Sequence, residues 1–129
     1  MFTIDNMSRV PVYEQIVRQI DSLLLAGKLK PGEALPSVRG LATELGVNPN
    51  TIQKAYAELD RRGMTISVPG RGSFLRDDAV ERLMDFINEN YVPEFKNMLR
   101  GMRNAQASDQ DILNFVVKLL KELDEEAVA

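Results

Sequence analysis

Two short amphipathic segments with a strong break between them occupy the middle of this chain, from Leu35 to Gly63. Apolar residues recur at helical spacing in both segments, namely Val38, Leu41, Ala42 and Leu45, then Ile52, Ala55, Tyr56 and Leu59. Gly46 suits the left-handed position that ends a helix, and Asn48 followed by Pro49 is typical of an N-cap and a first helical residue. Each helix has one face to bury, and the corner between them is short. The stretch is therefore predicted to form a helix-turn-helix.

The second of these helices begins with polar residues that lie off its apolar stripe: Asn50, Thr51, Gln53 and Lys54. A recognition helix presents such hydrogen-bonding groups to base edges and phosphates. After Gly63, apolar and polar residues alternate to Val68, a turn follows at residues 69–72, and a second short run ends at Leu75. This pattern predicts a β-hairpin with Arg71 at its tip. A helix-turn-helix followed by a hairpin is a winged helix, whose tip can reach the minor groove.

The preceding residues predict a supporting helix. Pro11 suits the first turn of a helix that ends at Gly27, with an apolar stripe of Tyr13, Ile16, Val17, Ile20, Leu23 and Leu24. Residues 1–10 are expected to form an arm from which Phe2 and Ile4 could pack on the core. Residues 30–32 predict a type II turn, followed at residues 33–35 by a minimal strand beside the wing.

Three stretches of the chain resemble the DNA-binding domain of GntR-family bacterial transcription regulators, in the family's order: PVYEQIVRQI, LPSVRGLATELGVNPNTIQKAYAELDRRG and PGRGSFL. The resemblance covers residues 11–75. It implies that the residue matching Tyr13 touches the DNA backbone, although from the residues alone a core tyrosine with a surface hydroxyl is an equal alternative. It also implies that Arg39, opposite the apolar face of its helix, contacts DNA.

The chain departs from the family's pattern at three positions. Gly40 replaces the glutamate that usually completes the capping box begun by Ser37, so the start of that helix is expected to be soft. Pro49 and Gln53 stand where many members carry arginine, and those arginine contacts do not carry over. Asn50 and Gln53 can instead bond the N6 and N7 edge of adenine, which favours A·T positions in the DNA site.

Among the remaining candidates, Thr51 and Lys54 are expected to meet phosphate, and Asn48 to act mainly as a cap. Gly70 and Gly72 permit close backbone approach and leave Arg71 exposed to enter a minor groove or hold a phosphate. The predicted DNA-binding residues are Tyr13, Ser37, Arg39, Asn48, Asn50, Thr51, Gln53, Lys54, Gly70, Arg71 and Gly72.

The composition excludes most enzymatic chemistry. The chain contains no cysteine and no histidine, which removes nearly every nucleophile–base pair and the usual zinc and non-haem iron ligands. No catalytic residue, metal or cofactor is predicted. The N-terminal residues lack the apolar segment of a signal peptide, and the apolar run at residues 23–26 is far too short to span a membrane. A cytoplasmic protein is expected.

The formal net charge of −3 is divided unequally along the chain. Residues 1–76 contain ten Lys/Arg and seven Asp/Glu, a net charge of +3, whereas residues 77–129 contain six and twelve, a net charge of −6. This change coincides with the predicted boundary between a winged-helix domain, 1–76, and a C-terminal region, 77–129. A net charge of +3 is modest for a DNA-binding monomer, so affinity is expected to depend on doubled contacts in a dimer.

The C-terminal region has the pattern of long helices. Pro93 interrupts a stripe of helical period and predicts a kink or short break near Asn90. Residues 101–107 are expected to connect to a last helix, capped by Ser108 and Asp111. Because two helices cannot cover so much apolar surface, we predict a dimerisation hairpin. Its interface residues are Leu83, Ile87, Tyr91, Phe95, Ile112, Phe115, Val116, Leu119, Leu120 and Leu123.

Three alternatives remain open for this region and its function. The helices could instead fold back on their own winged domain. The short tail resembles that of the YtrA subfamily, and a small effector pocket could be lined by Met84, Phe86, Tyr91, Phe95, Met98 and Met102, although such a stripe is more often core. The alternative function is that of a winged helix that binds proteins. An enzyme of the MocR subfamily is not expected, because too little chain follows the wing for the aminotransferase-like domain of that subfamily.

The sequence thus predicts a fold that is mainly α with a small β wing: an N-terminal winged helix-turn-helix and a C-terminal helical dimerisation hairpin. The predicted function is that of a homodimeric repressor that binds double-stranded DNA at an inverted-repeat operator, with a small-molecule effector left open.

Overall fold

A computed structural model describes residues 1–128 of the chain. Within those residues it contains six helices and one two-stranded sheet: α1 Val12–Leu25, α2 Val38–Leu45, α3 Pro49–Arg61, β1 Thr65–Val68, β2 Gly72–Leu75, α4 Ala79–Asn90, α5 Val92–Asn104 and α6 Asp109–Val128. The predicted fold class, mainly α with a small β wing, is confirmed.

The chain divides into two compact units, Met1–Phe86 and a second unit that begins at Ile87. The first unit extends beyond the wing into α4, because Ala79 and Leu83 are buried, with 0% and 2% of their surface exposed. The division therefore falls inside α4, whereas the charge pattern places a domain boundary at the end of the wing.

The core of the first unit lies where α1 and α2 pack against α3. Its largest fully buried side chains come from α1, α2 and α3, from the wing and the residue before it, and from α4: Ile16, Val17, Ile20, Leu41, Ile52, Leu59, Met64, Leu75 and Leu83. Full burial of one such side chain stabilises a fold by about 1.5–3 kcal/mol. The apolar stripes predicted for the helix-turn-helix are confirmed, with Val38 and Leu45 at its partly exposed margin.

The corner between α2 and α3 has the predicted caps. Gly46 adopts φ +67°, and the Asn48 side chain accepts a hydrogen bond of 2.8 Å from the Asn50 amide. Ser37 caps α2 by accepting a hydrogen bond of 3.0 Å from the Gly40 amide. A Cβ atom on Gly40 would lie 2.7 Å from the Ser37 hydroxyl oxygen, so glycine leaves room for this cap.

The wing is an antiparallel hairpin in which Thr65 pairs with Leu75 and Val68 with Gly72. An isolated bridge between Ala34 and Phe74 supplies the predicted minimal strand beside it. The Asp60 carboxylate, near the end of α3, accepts hydrogen bonds from the hydroxyls of Thr65 and Ser67. These contacts tie the base of the wing to the recognition helix.

The N-terminal arm lies along α1. Gln19 accepts a hydrogen bond of 2.9 Å from the Thr3 amide and donates one of 2.6 Å to the Thr3 carbonyl. Gln15 binds the backbone of Asp5 in the same two-way manner, at 2.9 and 3.0 Å. Phe2, within the arm, is buried in the core, as predicted.

The second unit contains the end of α4, with α5 and α6. The predicted break occurs at Tyr91, and Pro93 lies in the first turn of α5, where its missing N–H is not needed. The prediction that a connection begins at residue 101 is wrong, because α5 continues through Gly101 to Asn104. Ser108 and Asp111 form the expected reciprocal cap of α6, with hydrogen bonds of 3.0 and 3.1 Å.

Candidate nucleic-acid interface

The outer face of α3 carries the predicted base-contacting side chains. Asn50, Gln53 and Lys54 are exposed, and Thr51 is half-buried. Ile52 and the other apolar residues of the helix hold the opposite face in the core. Since the side-chain oxygen Oδ1 of Asn48 already accepts the capping hydrogen bond, the side-chain amides left to read an adenine edge are those of Asn50 and Gln53.

Tyr13 lies beside this face, on α1. The Lys54 ammonium is 4.2 Å from the centroid of the Tyr13 ring. The Tyr13 hydroxyl donates a long hydrogen bond of 3.4 Å to Glu14, and the ring is half-buried. The structure thus brings the predicted contact on the supporting helix together with the lysine of the recognition helix.

Arg39 on α2 and Arg71 at the tip of the wing are exposed, and neither forms an ion pair with any residue that the structure describes. Four other arginines of the first unit are each held by carboxylates within 3.3 Å: Arg61, Arg62, Arg76 and Arg82. The predicted DNA-contacting arginines therefore keep their charge available for phosphate.

The glycines of the wing tip are open to close approach. Gly70 and Gly72 have φ of +76° and +101°, and no described atom lies within 4 Å of a Cβ built at either position. Positive φ favours glycine at both places. The exposed Ser37 hydroxyl is already engaged in capping α2, so its oxygen is fixed close to the first turn that carries Arg39.

The sequence pattern missed an ionic cluster behind the recognition helix. Arg62, at the C-terminal end of α3, contacts Asp21 of α1 at 3.3 Å and Glu58 at 2.9 Å, and its side chain is only 12% exposed. Its guanidinium also lies 3.7 Å from the centroid of Phe86 on α4. Spacing along α3 could have suggested the pair with Glu58, but no local signal links Arg62 to Asp21 or Phe86.

The pKa values of the two carboxylates in this cluster are shifted in opposite directions. Burial raises the pKa of Asp21 to about 6, although the charge of Arg62 opposes the rise. One Asp21 oxygen is buried without a hydrogen-bond partner in the described part of the chain. Hydrogen bonds from Arg61, and then from Arg62, hold the pKa of Glu58 at about 2.

Most of the predicted dimerisation residues are exposed in the single chain. Leu83 and Ile112 are exceptions, with exposures of 2% and 8%, and leave little surface for a partner. Ile87 and Val116 are partly exposed. The other six are 48–58% exposed: Tyr91, Phe95, Phe115, Leu119, Leu120 and Leu123. In α5, which the structure describes in full, no residue is buried.

An open groove of about 410 Å³ lies in the second unit. Its lining includes Met102, Phe115 and Leu119, with Lys118 and Glu122. Of the six residues predicted for an effector pocket, Met102 alone is part of this lining, and Phe86 instead packs against Arg62. The structure therefore does not bring the predicted effector-pocket residues together in this groove.

The described part of the chain has no group of three or more acidic side chains placed to hold a metal ion. None of the helices within residues 1–128 combines the length and the apolar character that crossing a bilayer requires.

Comparison with known proteins agrees with these features. The model of the family described as bacterial regulatory proteins, gntR family, matches residues 12–75. The HTH-type transcriptional repressor YtrA of Bacillus subtilis is 47% identical over 85 residues, which are 66% of this chain and 65% of YtrA, a little under two thirds of its length. The transcriptional regulator YhcF of the same species is 38% identical over 97 residues, 74% of this chain and 80% of YhcF.

Solved structures show the same architecture. A GntR family transcriptional regulator from Listeria monocytogenes is 35% identical, with a TM-score of 0.67 over 89% of this chain and 98% of that one. The DNA-binding domain of AraR in complex with operator ORX1 is 32% identical, with a TM-score of 0.51 over 57% of this chain and 92% of that one. From its winged helix-turn-helix and these relatives, the chain belongs to the GntR family of bacterial regulatory proteins.

Proposed function

We propose that this protein is a transcriptional repressor of the bacterial cytoplasm that binds an inverted-repeat operator as a homodimer and has no catalytic activity. The observation that carries the proposal is the set of exposed cations on the helix-turn-helix and the wing. Arg39, Lys54 and Arg71 come from three different elements of the winged helix, and none forms an ion pair in the described residues. Phosphate contacts of this kind supply most non-specific DNA affinity.

Within the proposed DNA-binding domain, residues 1–76, the contacts have different tasks. Arg39, Thr51 and Lys54 hold backbone phosphate and fix the position of α3 on the duplex. Asn50 and Gln53 read adenine edges in the major groove. Arg71 enters the adjacent minor groove, with Gly70 and Gly72 allowing the close approach. The operator-bound AraR domain, which is similar to 57% of this chain, supports this arrangement.

The proposed dimerisation region, residues 77–129, pairs through its exposed apolar side chains. Monomeric soluble proteins rarely expose contiguous apolar patches of more than a few hundred Å². The exposed set on α5 and α6 includes Phe95, Met98, Leu119, Leu120 and Leu123, each 48–58% exposed. A symmetric dimer covers these side chains and sets the spacing of two DNA half-sites.

Selection of bound duplexes from a random DNA pool, at physiological salt and followed by sequencing, tests the proposal. We expect a two-fold symmetric motif with A·T pairs at the positions that Asn50 and Gln53 contact. The affinity for a duplex that carries the motif should fall steeply with added salt. Recovery of no motif, together with salt-independent DNA affinity, would overturn the proposal and favour a winged helix that binds proteins.

A further inference from the structure

The contact between Lys54 and Tyr13 joins the recognition helix to the supporting helix. The Lys54 ammonium lies 4.2 Å from the centroid of the tyrosine ring, well within the roughly 6 Å over which a cation is attracted to an aromatic face. We propose that Tyr13 is a positioning residue, whose ring holds the Lys54 ammonium ready to bind one phosphate of the DNA backbone. This inference rests on the proposed function.

A free lysine is poorly prepared for such a contact. Its ammonium sits on a flexible four-carbon stem, and fixing this side chain against a phosphate costs rotamer entropy. Lys54 is exposed on the outer face of α3, where no described carboxylate pairs with it. Contact with the ring restricts the stem before DNA arrives, so less entropy is lost on binding. The attraction leaves the ammonium charge in place.

The ring is held firmly enough to serve as this support. Tyr13 lies in the first turn of α1, a helix that packs directly against α3. Three residues further along α1, Ile16 is fully buried, as is Ile52 of α3. Because closely packed cores resist displacement, the distance between the two helix surfaces is fixed by side chains that do not touch DNA.

The contact also separates base contacts from a phosphate contact on α3. Asn50 and Gln53 are exposed amides suited to adenine edges. Lys54 is drawn to α1 by the ring, so its charge serves a backbone phosphate and not a base. A phosphate contact contributes affinity without sequence information. The family resemblance implies a backbone contact by Tyr13 itself, whereas the present proposal is that Tyr13 acts through Lys54.

A double-mutant cycle tests this coupling on the duplex recovered by the selection described above. Tyr13→Leu removes the aromatic face, Tyr13→Phe keeps it and removes only the hydroxyl, and Lys54→Gln removes the charge. We expect Tyr13→Leu to weaken the binding of the native chain about two- to twelvefold more, per half-site, than it weakens the Lys54→Gln chain, the range that corresponds to the rotamer entropy of one immobilised side chain. Tyr13→Phe should weaken both backgrounds by the same factor.

The salt dependence supplies a second readout, which reports whether Lys54 binds a phosphate. Lys54→Gln should reduce the slope of log affinity against log salt by about 0.9 per half-site. If Tyr13→Leu lowers DNA affinity by the same factor in the native chain and in the Lys54→Gln chain, the positioning role is overturned. DNA binding by the native chain would remain in that case. Absence of salt-dependent binding by the native chain would instead overturn the proposed function itself.

Discussion

The arginines of the first unit have two different environments. Arg61, Arg62, Arg76 and Arg82 are held by carboxylates, whereas Arg39 and Arg71 form no ion pair in the described residues. An arginine that is already neutralised has to break its pair before it binds phosphate, and an unpaired one does not. Two free guanidinium groups thus lie on the elements predicted to contact DNA, at the start of α2 and at the tip of the hairpin.

We expect Arg39→Ala and Arg71→Ala each to lower DNA affinity and to reduce the salt slope by about 0.9 per half-site. Fluorescence anisotropy over a range of salt concentrations measures both quantities. Arg100→Ala removes the same charge from an exposed site in the second unit and should leave the slope unchanged. Unchanged slopes for both first-unit variants would remove Arg39 and Arg71 from the proposed DNA contacts.

The buried cluster around Arg62 predicts an unusual pH dependence of stability. The pKa of Asp21 is raised to about 6 in the folded chain, above its ordinary value of 3.8. Protonation of Asp21 therefore favours the folded state, so its contribution grows as the pH falls through 6. Glu58, with a pKa lowered to about 2, has the opposite sign, but its contribution is lost only below its ordinary pKa of 4.5.

Between about pH 7 and pH 5, Asp21 should therefore raise the free energy of unfolding by about 1 kcal/mol as acid is added. Asp21→Asn, which cannot titrate, should remove this increase. Urea unfolding of both chains at several pH values in this window measures the difference. The same pH dependence in the two chains would show that Asp21 does not titrate there.

The helix-turn-helix corner shows how a short local pattern determines an element. Gly46 has φ +67°, and no described atom lies within 4 Å of a Cβ built there. A side chain at this position therefore meets no clash beyond its own backbone. The cost of a substitution is set by the left-handed conformation alone, which most residues avoid and asparagine tolerates.

We expect Gly46→Ala to lower the free energy of unfolding by about 1–2 kcal/mol, as measured by urea denaturation. Gly46→Asn is the matched control and should cost clearly less, because its short polar side chain suits this conformation. Equal losses from the two substitutions would indicate that something other than the backbone dihedral controls this position.

Elements with local signals were predictable from the sequence. The stripes of α1 to α3, the caps at Ser37 and Asn48 and the alternation of the wing each lie within a few residues of the structure they produce. Contacts between distant residues were not. Asp21 and Arg62 are 41 positions apart, and the Tyr56 hydroxyl donates a 2.6 Å hydrogen bond to the Pro36 carbonyl, across 20 positions. Neither contact follows from any local periodicity.

In the second unit, the sequence pattern did not predict correctly where α5 ends. The sequence predicts a connection that begins at Gly101, and glycine weakens helices by roughly 1 kcal/mol relative to alanine. The helical pattern on both sides outweighs this penalty, and α5 continues to Asn104. The residues predicted to bind DNA and to form the dimer are positioned by the fold, but their partners belong to other molecules. Their roles therefore stay predictions.

The assembly as a whole depends on how the apolar side chains of α5 and α6 are covered. Leu119 and Leu120 are 52% and 56% exposed in the single chain. If they lie at the centre of a symmetric interface, a glutamate at either position places an uncompensated charge there in both subunits, which costs several kcal/mol. If α6 does not form the interface, the same substitution is tolerated.

We expect Leu119→Glu and Leu120→Glu to give folded monomers with weakened operator affinity, as measured by sedimentation and circular dichroism. Lys121→Glu introduces the same side chain at an exposed polar position of α6 and should leave the dimer intact. A persistent, well-folded dimer of both leucine variants would place the interface elsewhere.

α4 belongs to both compact units, and this shared helix has a thermodynamic consequence. Arg62, at the end of the recognition helix, stacks on Phe86, the last residue of the first unit. A ligand that altered α4 would thus act on a residue that contacts the end of α3. Such coupling is reciprocal: whatever factor the ligand imposed on operator affinity, operator DNA would impose on the ligand's affinity. Titrating candidate ligands against the DNA-bound and the DNA-free protein would therefore identify a true effector without any measurement of transcription.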